Sequence, residues 1–170
     1  PIVGHHHDPF TAMRRFAGPL PRDEYLQPVT DVPGALVARA VGPVAAFNVI
    51  VLITFPLAAA GAYLLARHFS IARSWAALAA LAFAFSPFHV AHAAYHPHIA
   101  QTQWIPLYLV ALWRCLDAVT PARVALLAAA SAAVALSNFY GGLIAAVITI
   151  PAAAAYVVFQ RGPRPAAAAG

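Results

Sequence analysis

An uncharged apolar run of 23 residues, from Val44 to Ala66, is the feature that most constrains the fold of this chain. A helix of that length is about 35 Å long and crosses a hydrocarbon core about 30 Å thick. Composition agrees, because 62% of the 170 residues are hydrophobic and 9% are charged, whereas a soluble domain carries about 25% charged residues. The sequence therefore predicts an integral membrane protein.

Four more apolar runs follow, and they predict an all-α, polytopic transmembrane helical bundle of about five helices over residues 44–160. The predicted helices lie at about 44–66, 72–88, 99–116, 122–137 and 142–159. Residues 1–43 contain four of the five acidic residues and no apolar run long enough to span a bilayer. This first segment is predicted to be external, amphipathic and loop-like, and residues 161–170 are predicted to form a flexible cytoplasmic tail.

Arginine placement predicts the orientation, because cytoplasmic loops of membrane proteins carry the excess of basic residues. Six arginines fall in the connections 67–73 and 114–123 and in the tail, whereas the connections 89–98 and 137–142 contain none. All ten basic residues are Arg, which together with the Ala-rich helices is typical of a GC-rich bacterial genome. We therefore expect a multi-pass protein of the bacterial cytoplasmic (inner) membrane with its N-terminal segment outside. Arginines divided between opposite sides of a bilayer also argue against nucleic-acid binding.

The stretch from Phe83 to Pro106 contains four histidines, two glutamines and a tryptophan between two apolar runs. Amides in hydrocarbon need hydrogen-bond partners, so Gln101 and Gln103 favour an inward face that lines a site. Trp104 fits either an interfacial anchor or a binding residue. The predicted topology places this stretch on the external face, together with the first segment and the SNFYGG break at 137–142.

The four histidines raise the question of a metal site. His89, His92 and His96 would share one face of a helix, with His98 nearby. Pro97 disrupts the last turn and the loop contains no carboxylate, so hydrogen bonding to a substrate or to headgroups is favoured. No metal ligands are assigned, and the cofactor is left open, with a divalent metal possible.

The SNFYGG break offers polar groups at membrane depth, and its paired glycines permit close approach of the backbone. Asn138 and Tyr140 fit either contacts to a ligand or a tight turn between helices.

The first segment supplies the external charged side chains. Candidates for a general base are Asp8, Asp23, Glu24 and Asp31. Arginines that can clamp a phosphate, or pair with those carboxylates and with lipid phosphates, are Arg14, Arg15, Arg22 and Arg39.

The ordered set YLLAR, FAFSPFHVAH, QTQWIPLYLVALWR and LSNFYGG resembles bacterial polytopic membrane glycosyltransferases of the GT-C type, over about residues 44–142. The resemblance implies transfer of a sugar from a polyprenyl-phosphate donor to an acceptor on the outer face of the membrane. It also implies an acidic catalytic residue in a first external loop, which Asp8 matches best and Asp23-Glu24 second. Residues implied to bind substrate are Arg14, Arg15, Arg22, His89, His92, His96, His98, Gln101, Gln103, Trp104, Asn138 and Tyr140. Because such a loop follows a helix in that family, the chain is expected to be a fragment without its first helix.

The alternative is a non-catalytic polytopic membrane protein, either a transporter segment or an assembly partner. A transporter is expected to place charged groups at midspan and to show internal repeats, and neither is evident here. Membrane lipid is the expected partner under either hypothesis, and the oligomeric state is left open.

Overall fold

Prolines set the starts of several helices in this chain. The computed structural model describes residues 27–96 and 98–160, which contain seven helices and no strand. The helices are α1 Pro28–Val41, α2 Pro43–His68, α3 Arg73–Ala84, α4 Pro87–Tyr95, α5 Trp104–Asp117, α6 Pro121–Ser137 and α7 Phe139–Gln160. Helices α1, α2, α4 and α6 each begin at a proline, a position where the missing N–H has no helical partner to lose. The predicted all-α class is confirmed.

The number of membrane spans is smaller than predicted. Within the described residues, α2 and the Phe139–Val158 part of α7 are long and apolar enough to cross a bilayer, and α3 with α4 forms a third span if that bent pair counts as one. The prediction of about five was therefore wrong. Helix α5 has 14 residues and α6 has 17, which corresponds to about 21 and 26 Å against a core of about 30 Å.

The N-terminal side of α2 is also helical, in a stretch that was predicted to be loop-like. Residues 28–41 form α1, which packs against α2. Asp31 is buried in its first turn, and its Oδ2 accepts the backbone N–H of Gln27 at 2.8 Å. This carboxylate, a candidate general base by sequence, thus stabilises the start of a helix.

Helix α2 is the central element, since it packs against α1, α3 and α5. Gly61 permits the close approach of α5, because a Cβ there would lie 3.1 Å from both the carbonyl oxygen of Gln103 and Cγ of Pro106. On the far side of α5, helices α6 and α7 form an antiparallel pair. At the α6–α7 junction a Cβ on Gly142 would lie 3.2 Å from Cα of Ala135.

One end of the bundle contains most of the charged residues in the described part of the chain, and we call it the arginine end. It contains the connections 69–72 and 118–120, flanked by Arg67, Arg73, Arg114 and Arg123. Asp117 lies there, with its Oδ1 accepting the hydroxyl of Tyr156 at 2.9 Å and its Oδ2 4.0 Å from Nε2 of His68. The carboxyl ends of α2 and α5 and the last turns of α7 therefore lie at one level, which gives a reference for depth.

Candidate functional site

Three interruptions of helical structure occur at a similar distance from the arginine end. Helix α3 ends at Ala84 and α4 continues from Pro87 at a bend of 40°. Turns within residues 98–103 precede α5, which begins at Trp104, and α6 ends before Asn138 and α7 begins after it. Two of the breaks have a local cause: Ser86 and Pro87 start a new helix, and Asn138 is extended.

The depth of these breaks follows from helix length. Trp104 precedes Asp117 by thirteen residues and Asn138 follows Pro121 by seventeen, so both lie about 20–25 Å from the arginine end. That distance is within a hydrocarbon core about 30 Å thick. Non-helical backbone at membrane depth is tolerated where protein covers it or where it lines a wet cavity. The breaks are therefore expected to border a cavity or a tightly packed junction, and the structure contains both.

His89 forms the packed junction. Its side chain is fully buried, Nε2 lies 2.7 Å from Oγ1 of Thr54, and Nδ1 lies 3.5 Å from Oγ1 of Thr102. The ring stacks on Phe55 with centroids 4.3 Å apart. Oγ1 of Thr54 also lies 2.7 Å from the carbonyl of Val51, and when its hydroxyl donates there, Nε2–H of His89 can donate to Oγ1. His89 thus joins α2, α4 and the turn before α5.

The turn before α5 carries the two glutamines and the tryptophan. Gln103 is 1% exposed, and its Nε2 donates to Oε1 of Gln101 at 2.6 Å. Oε1 of Gln103 and Nε1–H of Trp104 are buried and find no hydrogen-bond partner within the described residues. Buried polar groups in native proteins are nearly always paired, so these two atoms indicate partners outside the described residues.

A cleft of about 80 Å³ lies between this turn and the α6–α7 junction. Its polar lining consists of Gln101, Thr102, Trp104, Ser137, Asn138 and Tyr140. Its apolar lining consists of Phe88, Ile99, Ile105, Val134, Ile144 and the Gly141 backbone. None of the described residues in this lining is charged.

The α6–α7 junction shapes the far wall of the cleft. Oδ1 of Asn138 accepts the backbone N–H of Tyr140 at 2.9 Å, and the hydroxyl of Ser137 donates to the carbonyl of Val134 at 3.0 Å. A Cβ on Gly141 would come no closer than 3.7 Å to another atom. The junction is therefore held by its own hydrogen bonds, and a Cβ on Gly141 would make ordinary van der Waals contacts with Asn138 and Val134.

The predicted site residues His92, His96 and His98 do not line the cleft. Nδ1 of His92 lies 3.4 Å from Nδ1 of His96, and the rings of His96 and His98 meet edge to face with centroids 6.0 Å apart. In the described part of the chain, no three His, Cys, Asp or Glu side chains are placed to hold a metal ion. Outside the described residues lie Asp8, Asp23, Glu24, Arg14, Arg15 and Arg22.

The structure thus brings together Gln101, Trp104, Asn138 and Tyr140, with Gln103 directly behind them. Sequence reasoning did not assign Thr102 or Ser137 to the site, although both belong to the stretches that were singled out. It also did not pair Thr54 with His89. No periodicity links residues 35 positions apart, so that contact had no signal in the sequence.

Comparison with known families gives one match. The model of a family described as 6-pyruvoyl-tetrahydropterin synthase related domain, membrane protein, matches residues 25–164. No curated protein and no solved structure matches the chain. The resemblance to GT-C glycosyltransferases is therefore wrong, since a different family covers all of residues 44–142 on which it rested. The polyprenyl-phosphate donor and the glycosyl transfer implied by that resemblance have no support.

Proposed function

The chain belongs to the family of membrane proteins described as 6-pyruvoyl-tetrahydropterin synthase related, and we propose that it is a non-catalytic polytopic protein that binds the head of a membrane lipid in its cleft. The proposal rests on one observation: three breaks in the helices lie beside a cleft at membrane depth, and the described residues that line this cleft are uncharged. In membrane proteins, broken helices of this kind surround binding sites.

The lining favours binding over acid–base chemistry. It combines amide, hydroxyl and indole groups with apolar side chains and contains no carboxylate, imidazole or amine. The nearby imidazole of His89 is engaged by Thr54 and stacked on Phe55. A few fixed polar groups in an apolar wall are typical of sites that orient an amphiphilic ligand.

Access to the cleft is from the bilayer side. Phe88 is 53% exposed, Tyr140 62% and Ile144 48%, and all three line the cleft. Since these positions lie about 20–25 Å from the arginine end by helix length, the groups around them are lipid chains. A lipid is therefore the molecule that meets this opening without first leaving the membrane.

The arginine end is proposed to be cytoplasmic, in a bacterial inner membrane, which places the start of α2 and the segment before it outside. Cys115 is the one cysteine of the chain, so its replacement with Ala gives a cysteine-free protein. A single cysteine is then introduced on each side of the membrane for labelling. We expect a membrane-impermeant maleimide to label Val41→Cys in intact cells and Val119→Cys, a position 80% exposed between α5 and α6, after permeabilisation. The reverse pattern would overturn the orientation.

Lipid binding is tested by filling the cleft. In Gly141→Leu the added side chain projects into the space where a Cβ meets nothing within 3.7 Å. We expect native mass spectrometry of the detergent-purified protein to show a retained lipid with the wild type and about tenfold less with this variant.

Val147→Leu is the matched control, since it enlarges a position on the same helix that is 64% exposed and does not line the cleft. Its lipid retention should equal that of the wild type. Equal retention by all three proteins would refute the cleft as the binding site.

A further inference from the structure

From the hydrogen-bonding groups of the cleft we infer the class of its lipid: a neutral amphiphile whose head presents ester or hydroxyl oxygens, as in an acylglycerol, in place of an anionic phosphate. This inference rests on the proposed function and specifies its ligand. Three properties of the cleft support it: the hydrogen-bonding groups without a partner, the charge of the lining residues and the volume.

Donors remain for a ligand on both walls. On one wall, Nε1–H of Trp104 has no acceptor within the described residues. On the other, Oδ1 of Asn138 is occupied by the N–H of Tyr140, which leaves the amide hydrogens of Asn138 and the hydroxyl of Tyr140 to meet the contents of the cleft. These groups suit oxygen acceptors, and a hydroxyl or ester supplies them.

The buried Gln103 carries an unmatched acceptor directly behind the same wall. It is 1% exposed, and its Oε1 has no donor in the described part of the chain, while its Nε2 is held by Gln101. Gln101 lines the cleft, so the unmatched oxygen lies one side chain behind the wall. A hydroxyl group, or water held by one, supplies a donor to such an oxygen, whereas a fully ionised phosphate supplies none.

The electrostatics of the walls disfavour an anion. Among the described residues the lining contains no cation, and the arginines near 67, 73, 114 and 123 lie about 20 Å away at the other end of the helices. Helices α5 and α7 begin at the cleft whereas α6 ends there, so one helix N-terminus is not offset and contributes about half a positive charge, which is less than the charge of a phosphate. Moving an anion to hydrocarbon depth without a countercharge has a large unfavourable desolvation free energy. A neutral lipid headgroup does not have this cost.

The cleft has room for the headgroup of a lipid but not for its acyl chains. A cleft of about 80 Å³ is small beside the roughly 300–1,000 Å³ of pockets that enclose a whole small molecule. The exposed apolar residues at the opening, among them Phe88 and Ile144, leave the acyl chains in the bilayer. An amphiphile with a compact head satisfies both conditions.

Tryptophan fluorescence tests the inference directly. The full chain with Trp75→Phe and Trp113→Phe retains Trp104 as its one indole, and is reconstituted in phosphatidylcholine vesicles. Chain-brominated diacylglycerol and chain-brominated phosphatidylglycerol are titrated as quenchers. We expect half-maximal quenching by the neutral lipid at about a tenfold lower mole fraction, which corresponds to about 1.4 kcal/mol.

Two control variants show whether the quenching of Trp104 comes from a lipid bound in the cleft. The variant with Trp104→Phe and Trp113→Phe reports from Trp75, which is 66% exposed on α3, and should respond equally to both lipids. Tyr140→Phe, at a position 62% exposed, removes one hydroxyl and should weaken the neutral-lipid response of Trp104 about threefold.

The outcomes separate the two proposals. Stronger quenching by the anionic lipid would overturn the inference and leave lipid binding in place. Quenching of Trp104 that matches Trp75 for both lipids would refute the proposed function itself. Preferential quenching by diacylglycerol that weakens in Tyr140→Phe would support both.

Discussion

Replacing His89 with Ala removes the side chain that joins α2, α4 and the turn before α5, and its cost can be worked from the structure. The hydrogen bond to Thr54, at 2.7 Å, contributes about 1 kcal/mol net. The stack on Phe55, with centroids 4.3 Å apart, contributes about 1 kcal/mol. The cavity left by a fully buried ring adds about 1 kcal/mol. We expect a decrease of about 3 kcal/mol in the free energy of unfolding.

His89→Phe separates the two kinds of contact. It keeps a ring against Phe55 and removes both hydrogen-bonding nitrogens. The Thr54 hydroxyl still donates to the carbonyl of Val51 at 2.7 Å, so it is not left unmatched. The expected decrease is therefore smaller, about 1 kcal/mol.

Unfolding of the purified protein in mixed micelles, driven by increasing dodecyl sulfate and followed by circular dichroism, measures these differences. Val90→Ala is the matched control, because the residue is on the same helix and 50% exposed, and its cost should stay below about 1 kcal/mol. If His89→Ala is no worse than Val90→Ala, His89 does not join these elements. If His89→Phe is as damaging as His89→Ala, the stack contributes nothing.

Three further substitutions test other contacts by the same titration. Gly61→Ala places a Cβ 3.1 Å from the backbone carbonyl of Gln103 and should destabilise by about 1–3 kcal/mol; an unchanged midpoint would mean that α2 and α5 are farther apart than described. Tyr108→Phe removes a hydrogen bond of 2.6 Å to Thr149 and should cost about 0.6 kcal/mol, so a loss above about 2 kcal/mol would contradict this view of the contact. Asp117→Asn should cost less than about 1 kcal/mol, since the carboxylate is 31% exposed and the neighbouring histidine nitrogen is 4.0 Å away; a larger loss would show that its charge stabilises the bundle.

The runs 44–66, 122–137 and 142–159 predicted their helices closely, whereas the runs 72–88 and 99–116 did not. The run 44–66 became α2, Pro43–His68, because nothing interrupts it before the basic residues at its end. The helix predicted at 99–116 begins later in the structure, at Trp104, because the residues from 98 to 103 are not helical. The predicted helix 72–88 was divided at Ser86. Counting apolar runs overestimated the spans because hydropathy reports depth in the membrane and not whether a helix is continuous.

The candidate site was predictable in its composition and not in its contacts. Gln101, Trp104, Asn138 and Tyr140 belong to two polar interruptions of apolar sequence, and such interruptions need a polar environment wherever they lie. Alternating helices place both interruptions on one face, so their proximity follows from the order of elements. The burial of His89 does not follow, because it depends on the bend at Ser86 turning α4 toward Thr54.

The same physics explains how short motifs pointed to the wrong family. A chain that stops its helices about 20–25 Å from the arginine end must use Pro to begin new helices, amides and hydroxyls to pair freed backbone groups, and Gly where helices approach closely. The stretches around Ser86, Gln103 and Asn138 meet these three needs. Membrane proteins of different activities face the same requirement, so such motifs indicate an intramembrane break in the helices and do not identify the chemistry performed there. Within the described residues the breaks leave the Trp104 indole N–H and the Gln103 carbonyl oxygen without a partner, and the proposed choice of ligand depends on these groups.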